Sequence, residues 1–290
     1  MLSGTPEDLC VHLKRHITAL MKYQAQLMCY SSPSQVFGQA PDHEATSKLP
    51  QHGFARTSNW EFLGKSTSES APNATTADLS VKLDFGLSSA NLDDKTKAQW
   101  PYAFGLIYSV TLDREALTTS LIVTNEGDKP FDCQVLMHTY FKVKVSPTLI
   151  LESLGIRRLL TAPLQDITKV EVTGLEDSEY LDKVDSLKAK KQSAAVTITG
   201  ETDRIYTPAK GPSSPVVIEE GGKKVYSVVR DNLDDLVVWN PWVDKAAGMS
   251  DFGPKDGWKN MICVEAGSVK GWQTLEPGDA FEGAQTISAL

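Results

Sequence analysis

The stretch FGLIYSVTLDREALTTSLIVTNEGDKP, Phe104 to Pro130, decides the fold class. It reads as two strands rich in β-branched and aromatic residues, joined by a turn at DRE and closed by the turn signal NEGDKP. The adjoining segment, FDCQVLMHTYFKVKV (Phe131–Val145), alternates. Phe131, Cys133, Val135, Met137, Phe141, Val143 and Val145, with Thr139 among them, make one nearly continuous apolar face. Gln134, Leu136, His138, Tyr140 and Lys142 make the other. Upstream, ADLSVKLDFGL (Ala77–Leu87) sets Leu79, Val81, Leu83 and Phe85 against Ser80, Lys82 and Asp84. Downstream, PVVIEEGGKKVYSVV (Pro215–Val229) reads as a hairpin about its two glycines. LEPGDAFEGAQTISAL (Leu275–Leu290) gives one more turn and a last strand. Many strands with short turns predict an all-β antiparallel sandwich.

The bulk properties narrow the function. With 290 residues the chain is long enough to bury a sizeable core. A net charge of −8 makes nucleic acid and anionic membrane surfaces poor partners. An anionic ligand would need a local basic cluster. Cys10, Cys29, Cys133 and Cys263 lie far apart without metal-ligand spacing, and read as free thiols in a reducing, cytoplasmic setting. No apolar run reaches the length of a membrane span. Dinucleotide, P-loop, zinc-protease and nucleophile-elbow motifs are missing from the sequence.

Two segments break the β pattern. DLCVHLKRHITALMKYQAQLMCY (Asp8–Tyr30) places Leu9, Leu13, Ile17, Leu20 and Met21 at helical spacing. SPTLILESLGIRRLLTAPLQ (Ser146–Gln165) neither alternates nor carries turn chemistry, and is longer than an ordinary connection. The expected organisation is an atypical segment over residues 1–35 and a β-sandwich domain over 36–290, interrupted at about 145–165.

Several clusters could carry chemistry. In MICVEAGSV (Met261–Val269), Glu265 stands inside an apolar strand. Burying a bare carboxylate is costly, so it must be paired, wet at an edge, or functional. His138 is either a solvated sheet residue or part of a cleft. LPQHGFAR (Leu49–Arg56) offers the Gln51 amide, the His52 ring and the Arg56 guanidinium around Gly53. Asp203 beside Arg204 in GETDRIYTP reads, taken alone, as a local surface ion pair. Trp239 and Trp242 in VVWNPW suit either a sugar face or simple packing.

Taken in order, LPQHGFAR, MHTYF, VTGLE followed by Tyr180, Asp182 and Lys183, ETDRIY, VVWNPW and CVEAG resemble the glucose-6-phosphate 1-epimerases. These are hexose-6-phosphate mutarotases of the aldose 1-epimerase, or galactose mutarotase-like, superfamily. The resemblance runs from about Val36 to Leu290, apart from the interruption. It implies a large antiparallel β-supersandwich with the site in the concave face of one sheet. It also implies no cofactor and no required metal; the expected partner is a small hexose 6-phosphate, and the expected state is a monomer. Carried over residue by residue, it implies His138 and Glu265 as the catalytic pair, with Gln51, His52, Arg56 and Asp203 around the substrate. The implied reaction interconverts α and β anomers by acid/base-catalysed ring opening. At ordinary pKa values Glu265 would be the ionised base and His138 the acid. The alternatives are a non-catalytic sugar-phosphate binder on the same fold and an epimerase of unphosphorylated aldoses. In place of an Arg-Gly-Gly-Ile-Pro-like segment expected ahead of Val36, the chain has the helical-looking stretch, and no residue takes over that arginine.

Overall fold

The computed structural model describes residues 25–28, 45–50, 52–68, 80–143 and 166–290. Its first strands are β1 (Ala25–Met28), β2 (Glu61–Thr67), β3 (Val81–Ser88), β4 (Phe104–Leu112), β5 (Ala116–Asn125) and β6 (Phe131–Met137). Next come β7 (Tyr140–Lys142), β8 (Val170–Thr173), β9 (Glu179–Asp182), β10 (Lys188–Lys191), β11 (Val196–Thr197) and β12 (Thr202–Thr207). Completing the set are β13 (Val216–Glu220), β14 (Lys223–Asp231), β15 (Asp235–Asn240), β16 (Met261–Leu275) and β17 (Ala280–Ala289). Two short helices, α1 (Asp94–Gln99) and α2 (Trp242–Gly248), lie between strands.

The strands form two antiparallel sheets. One has the order β1-β6-β16-β15-β12-β9-β10, with β7 also on β16. The other runs β11-β8-β13-β14-β17-β5-β4-β3-β2. The turn chemistry explains the hairpins. Asp113 Oδ1 accepts from the Glu115 and Ala116 amides at 2.8 and 2.7 Å, fixing the β4–β5 turn. Gly221 and Gly222 take φ of 56° and 79° between β13 and β14, a conformation that side chains resist. Asn125 is buried and satisfied: its Nδ2 donates to Lys129 and Leu275 carbonyls, and its Oδ1 accepts from the Gly127 amide.

Alternation sorts the core. From β6, the side chains of Phe131, Cys133, Val135 and Met137 enter the packing between sheets with Trp100, Phe104 and Leu121. Ile262 and Val264 of β16 pack there with Val228, Val238 and Phe141. The other face of the first sheet holds a smaller cluster of Leu136, Ile205, Val237, Trp239 and Cys263. The fold is therefore the all-β, two-sheet sandwich that the alternation predicts.

Some expectations need correction or lie elsewhere. Helical spacing predicts a helix over Asp8–Tyr30, yet Ala25–Met28 is a strand that pairs with β6, Ala25 opposite Met137. Four residues cannot hold a helix when a sheet edge satisfies their backbone groups. The rest of that stretch, the interruption at 145–165, and Leu79, Gln51, Cys10 and Cys29 fall outside the described residues. Cys133 and Cys263 are free and buried.

Candidate active site

The register of β16 builds the centre of the site. Its pairing sets Ala266 opposite Met137 of β6, and Cys263 opposite Tyr140 of β7. The same register places His138, between those strands, against Glu265 (on the face away from the second sheet). Directly opposed side chains on one sheet face sit within contact range. His138 Nδ1 lies 3.3 Å from Glu265 Oε1, and both side chains are buried. On Glu265's other side β15 contributes Val237. Beyond β15, Asp203 of β12 lies opposite Trp239. A strand-edge position for Glu265 and a solvated surface for His138 are both excluded.

Gly267 explains the glycine of CVEAG. It pairs with Leu136 across β16–β6. A Cβ there would meet the Val135 carbonyl oxygen at 2.8 Å and a Leu136 methyl at 2.7 Å. Only a residue without Cβ lets the two site-bearing strands come this close. Behind His138, the Thr139 hydroxyl accepts from Gln285 Nε2 of β17 at 2.9 Å. This bond ties the site's backbone to the opposite sheet through the core.

The LPQHGFAR loop closes over this centre. Leu49, Phe54 and Ala55 are buried, and Phe54 packs on Trp100 and Phe104. His52 and Gly53 both take positive φ, 64° and 68°, which turns the chain and delivers the His52 ring edge-on to His138 at 5.7 Å. Arg56 rides on a single 3-10 turn, Ala55–Thr57, whose Ala55 carbonyl accepts from Trp60 Nε1. His52, Arg56, His138, Asp203 and Glu265 all border one cleft of about 620 Å³. Five of the six residues singled out in the sequence are thus brought together; Gln51 lies outside the described residues.

The cleft also contains residues that sequence reasoning left open or did not assign to it. Lys183, just after β9, pairs with Asp203 at 3.0 Å and is almost buried. Its only sequence signal is its place after Tyr180 and Asp182. Tyr140 stacks on the His138 ring with centroids 4.8 Å apart, and Trp239 meets that ring edge-on at 6.0 Å. Trp242 instead packs on Trp258, so the two tryptophans divide between cleft and core. Asp203 and Arg204 do not pair with each other. Neighbouring strand residues face opposite ways, and Arg204 reaches Gln192 and lies over the Tyr180 ring, 5.1 Å from its centroid.

Burial dominates the electrostatics. It lowers the His138 imidazole to about 3, helped by Arg56, and the His52 imidazole to about 2, helped by His138 and Arg56. Burial, with Asp203 nearby, raises Glu265 well above the carboxylate range, against the pull of Lys183. Asp203 rises to about 6 through burial although Lys183 opposes this, and burial lowers Lys183 to about 8. The ordinary pKa values behind the sequence-based roles therefore do not hold in this cleft. Burial favours the uncharged form of the pair, a carboxylic acid beside a neutral imidazole. An ionised Glu265 with a protonated His138 contains the same number of protons, and one transfer across the 3.3 Å gap converts one state into the other.

Comparisons with known proteins identify the family. The family model described as Aldose 1-epimerase matches residues 36–288. A protein of Cenchrus ciliaris named "Putative glucose-6-phosphate 1-epimerase" is 33% identical over 257 residues, covering 86% of this chain and 68% of its own length. A solved structure from Salmonella typhimurium, described as a "putative mutarotase", superposes with a TM-score of 0.65 at 24% identity, over 92% of this chain and 79% of that one. A galactose mutarotase related enzyme from Lactobacillus acidophilus gives 0.55 at 16% identity, over 83% and 74%. At these identities the two structures speak for the fold alone. Among the described residues, no helix is long and apolar enough to cross a membrane. The match over residues 36–288, with a relative 33% identical over most of the chain, shows that this chain belongs to the aldose 1-epimerase family.

Proposed function

We propose that the protein interconverts the α and β anomers of glucose 6-phosphate and related hexose 6-phosphates. The observation that carries this reading is the 3.3 Å contact between His138 and Glu265 on the floor of a cleft bordered by Arg56. Opening a pyranose removes the proton on the anomeric hydroxyl and delivers one to the ring oxygen. Ionised Glu265 takes the first and protonated His138 gives the second. The pair is then left as neutral imidazole and carboxylic acid, the state that burial favours. Carbon 1 turns as an aldehyde, and ring closure reverses both transfers on the other face. Each sugar anomer therefore meets a pair that needs no net gain or loss of protons. Positioned acid–base groups contribute about 10²–10⁴-fold each.

Asp203 and Lys183 supply an acceptor and a donor suited to sugar hydroxyls. Asp203 Oδ1 is buried without a hydrogen-bond partner, leaving it able to accept one. Arg56 borders the same cleft and offers a guanidinium to a phosphate, while Lys183 and Lys245 there pair with Asp203 and Glu201. The loop residue Gln51 is proposed as a further substrate contact.

The test uses freshly dissolved α-glucose 6-phosphate with a β-specific dehydrogenase. The protein is expected to remove the lag that spontaneous anomerisation imposes. Glu265→Gln and His138→Ala are each expected to lower kcat by at least about 100-fold with an unchanged melting temperature. Sugar-phosphate binding without loss of the lag would establish a non-catalytic binder and refute the reaction.

A further inference from the structure

We propose that the floor of the cleft is also a binding site for a thiophilic divalent cation, Zn2+ above all, held by His138, Cys263 and Glu265. Ligand atoms of these three residues lie within 4.8 Å of one another, and all three residues are buried. Cys263 and Glu265 are two apart on β16, so both side chains project from one face of the sheet. Register places His138 across from them, because Cys263 lies opposite Tyr140 and Ala266 opposite Met137.

A second observation points to the same ligand. His138 Nδ1 is buried and makes no hydrogen bond, although Glu265 Oε1 lies only 3.3 Å away. Zinc bonds nitrogen and oxygen at about 2.0–2.2 Å and sulfur at about 2.3 Å in tetrahedral array. Two such N and O ligands on one zinc stand roughly 3.4 Å apart, close to the gap observed here. The Cys263 sulfur lies within 4.8 Å of both. One nitrogen, one sulfur and one oxygen donor suit zinc and exclude Mg2+ or Ca2+, which take oxygen cages.

Zinc bound there engages both members of the acid–base pair, and would inhibit competitively with the sugar.

The experiment uses the full-length chain stripped of metal, with Co2+ as probe. One equivalent is expected to produce thiolate-to-cobalt charge-transfer absorption in the near ultraviolet, displaced by Zn2+. The band is expected to vanish in Cys263→Ser and in His138→Ala, and Zn2+ affinity to fall at least about tenfold in each. Far-ultraviolet circular dichroism and thermal melting check that each variant folds, with Cys263→Ala as a second cysteine variant. No band in the folded wild type would overturn the proposal. So would a band that persists in both variants, since the metal would then sit on other cysteines. In the kinetic arm, Cys263→Ser should retain activity without zinc and resist zinc inhibition. This arm alone rests on the proposed reaction, so failure of that reaction leaves the cobalt result standing.

Discussion

Replacing Gly267 by alanine tests whether strand spacing sets the geometry of the site. The added Cβ would lie 2.8 Å from the Val135 carbonyl oxygen, where ordinary contact begins near 3.4 Å. The Leu136 methyl at 2.7 Å can turn aside, but the carbonyl belongs to the backbone of β6. Relief therefore requires β16 and β6 to part by roughly 0.6 Å, at a cost of about 1–3 kcal/mol. His138 follows β6 and Glu265 rides on β16, so the separation widens their 3.3 Å contact directly. Displacements approaching 1 Å can cost about 100-fold in rate, and a fall in kcat of about 10–100-fold is expected. The lag assay gives kcat and a thermal melt gives stability. Gly271→Ala is the matched control, since nothing lies within 4 Å of a Cβ at that position of the same strand. If Gly267→Ala retained both wild-type kcat and wild-type melting temperature, the argument from strand spacing would be wrong.

Two further outcomes concern the rim of the cleft. Arg56→Ala is expected to raise KM for glucose 6-phosphate at least about tenfold while changing glucose turnover little; equal effects on both sugars would show that Arg56 does not read phosphate. His52→Gln is expected to flatten the loss of stability on acidification. His52 stays neutral in the fold, to about pH 2, facing His138, Arg56 and Lys183. The unfolded chain takes up a proton near pH 6.5, so the contribution is intact above 6.5 and lost as pH falls below it. At pH 5 the loss amounts to up to ~2 kcal/mol. Melting temperatures of both proteins from pH 7 to 5 check this, and parallel curves would count against it.

Local chemistry made much of the fold legible. Asp113 and the Gly221–Gly222 pair place two hairpins where turn rules put them, because a turn depends on a few adjacent residues. Glu265 stood out because a carboxylate inside an apolar strand demands an explanation. Its partner did not stand out by spacing: His138 meets it through a register between distant strands, which only the family resemblance anticipated. Lys183 was passed over since a lysine after a strand usually faces water, and here β12 supplies Asp203 to draw it inward. The helix expected around Ala25–Met28 gave way to a sheet edge, where pairing outweighs periodicity.

The hydrogen bond from Gln285 to Thr139 has a bearing on descent. A buried polar pair is costly to break on one side, yet close to neutral when both partners become apolar together. Thr139 and Gln285 stand 146 positions apart on opposite sheets. A lineage that lost one partner would be under pressure to lose the other, so the two positions should drift as a unit. Such coupled substitution would record, in the far sheet, a constraint that originates directly beneath His138.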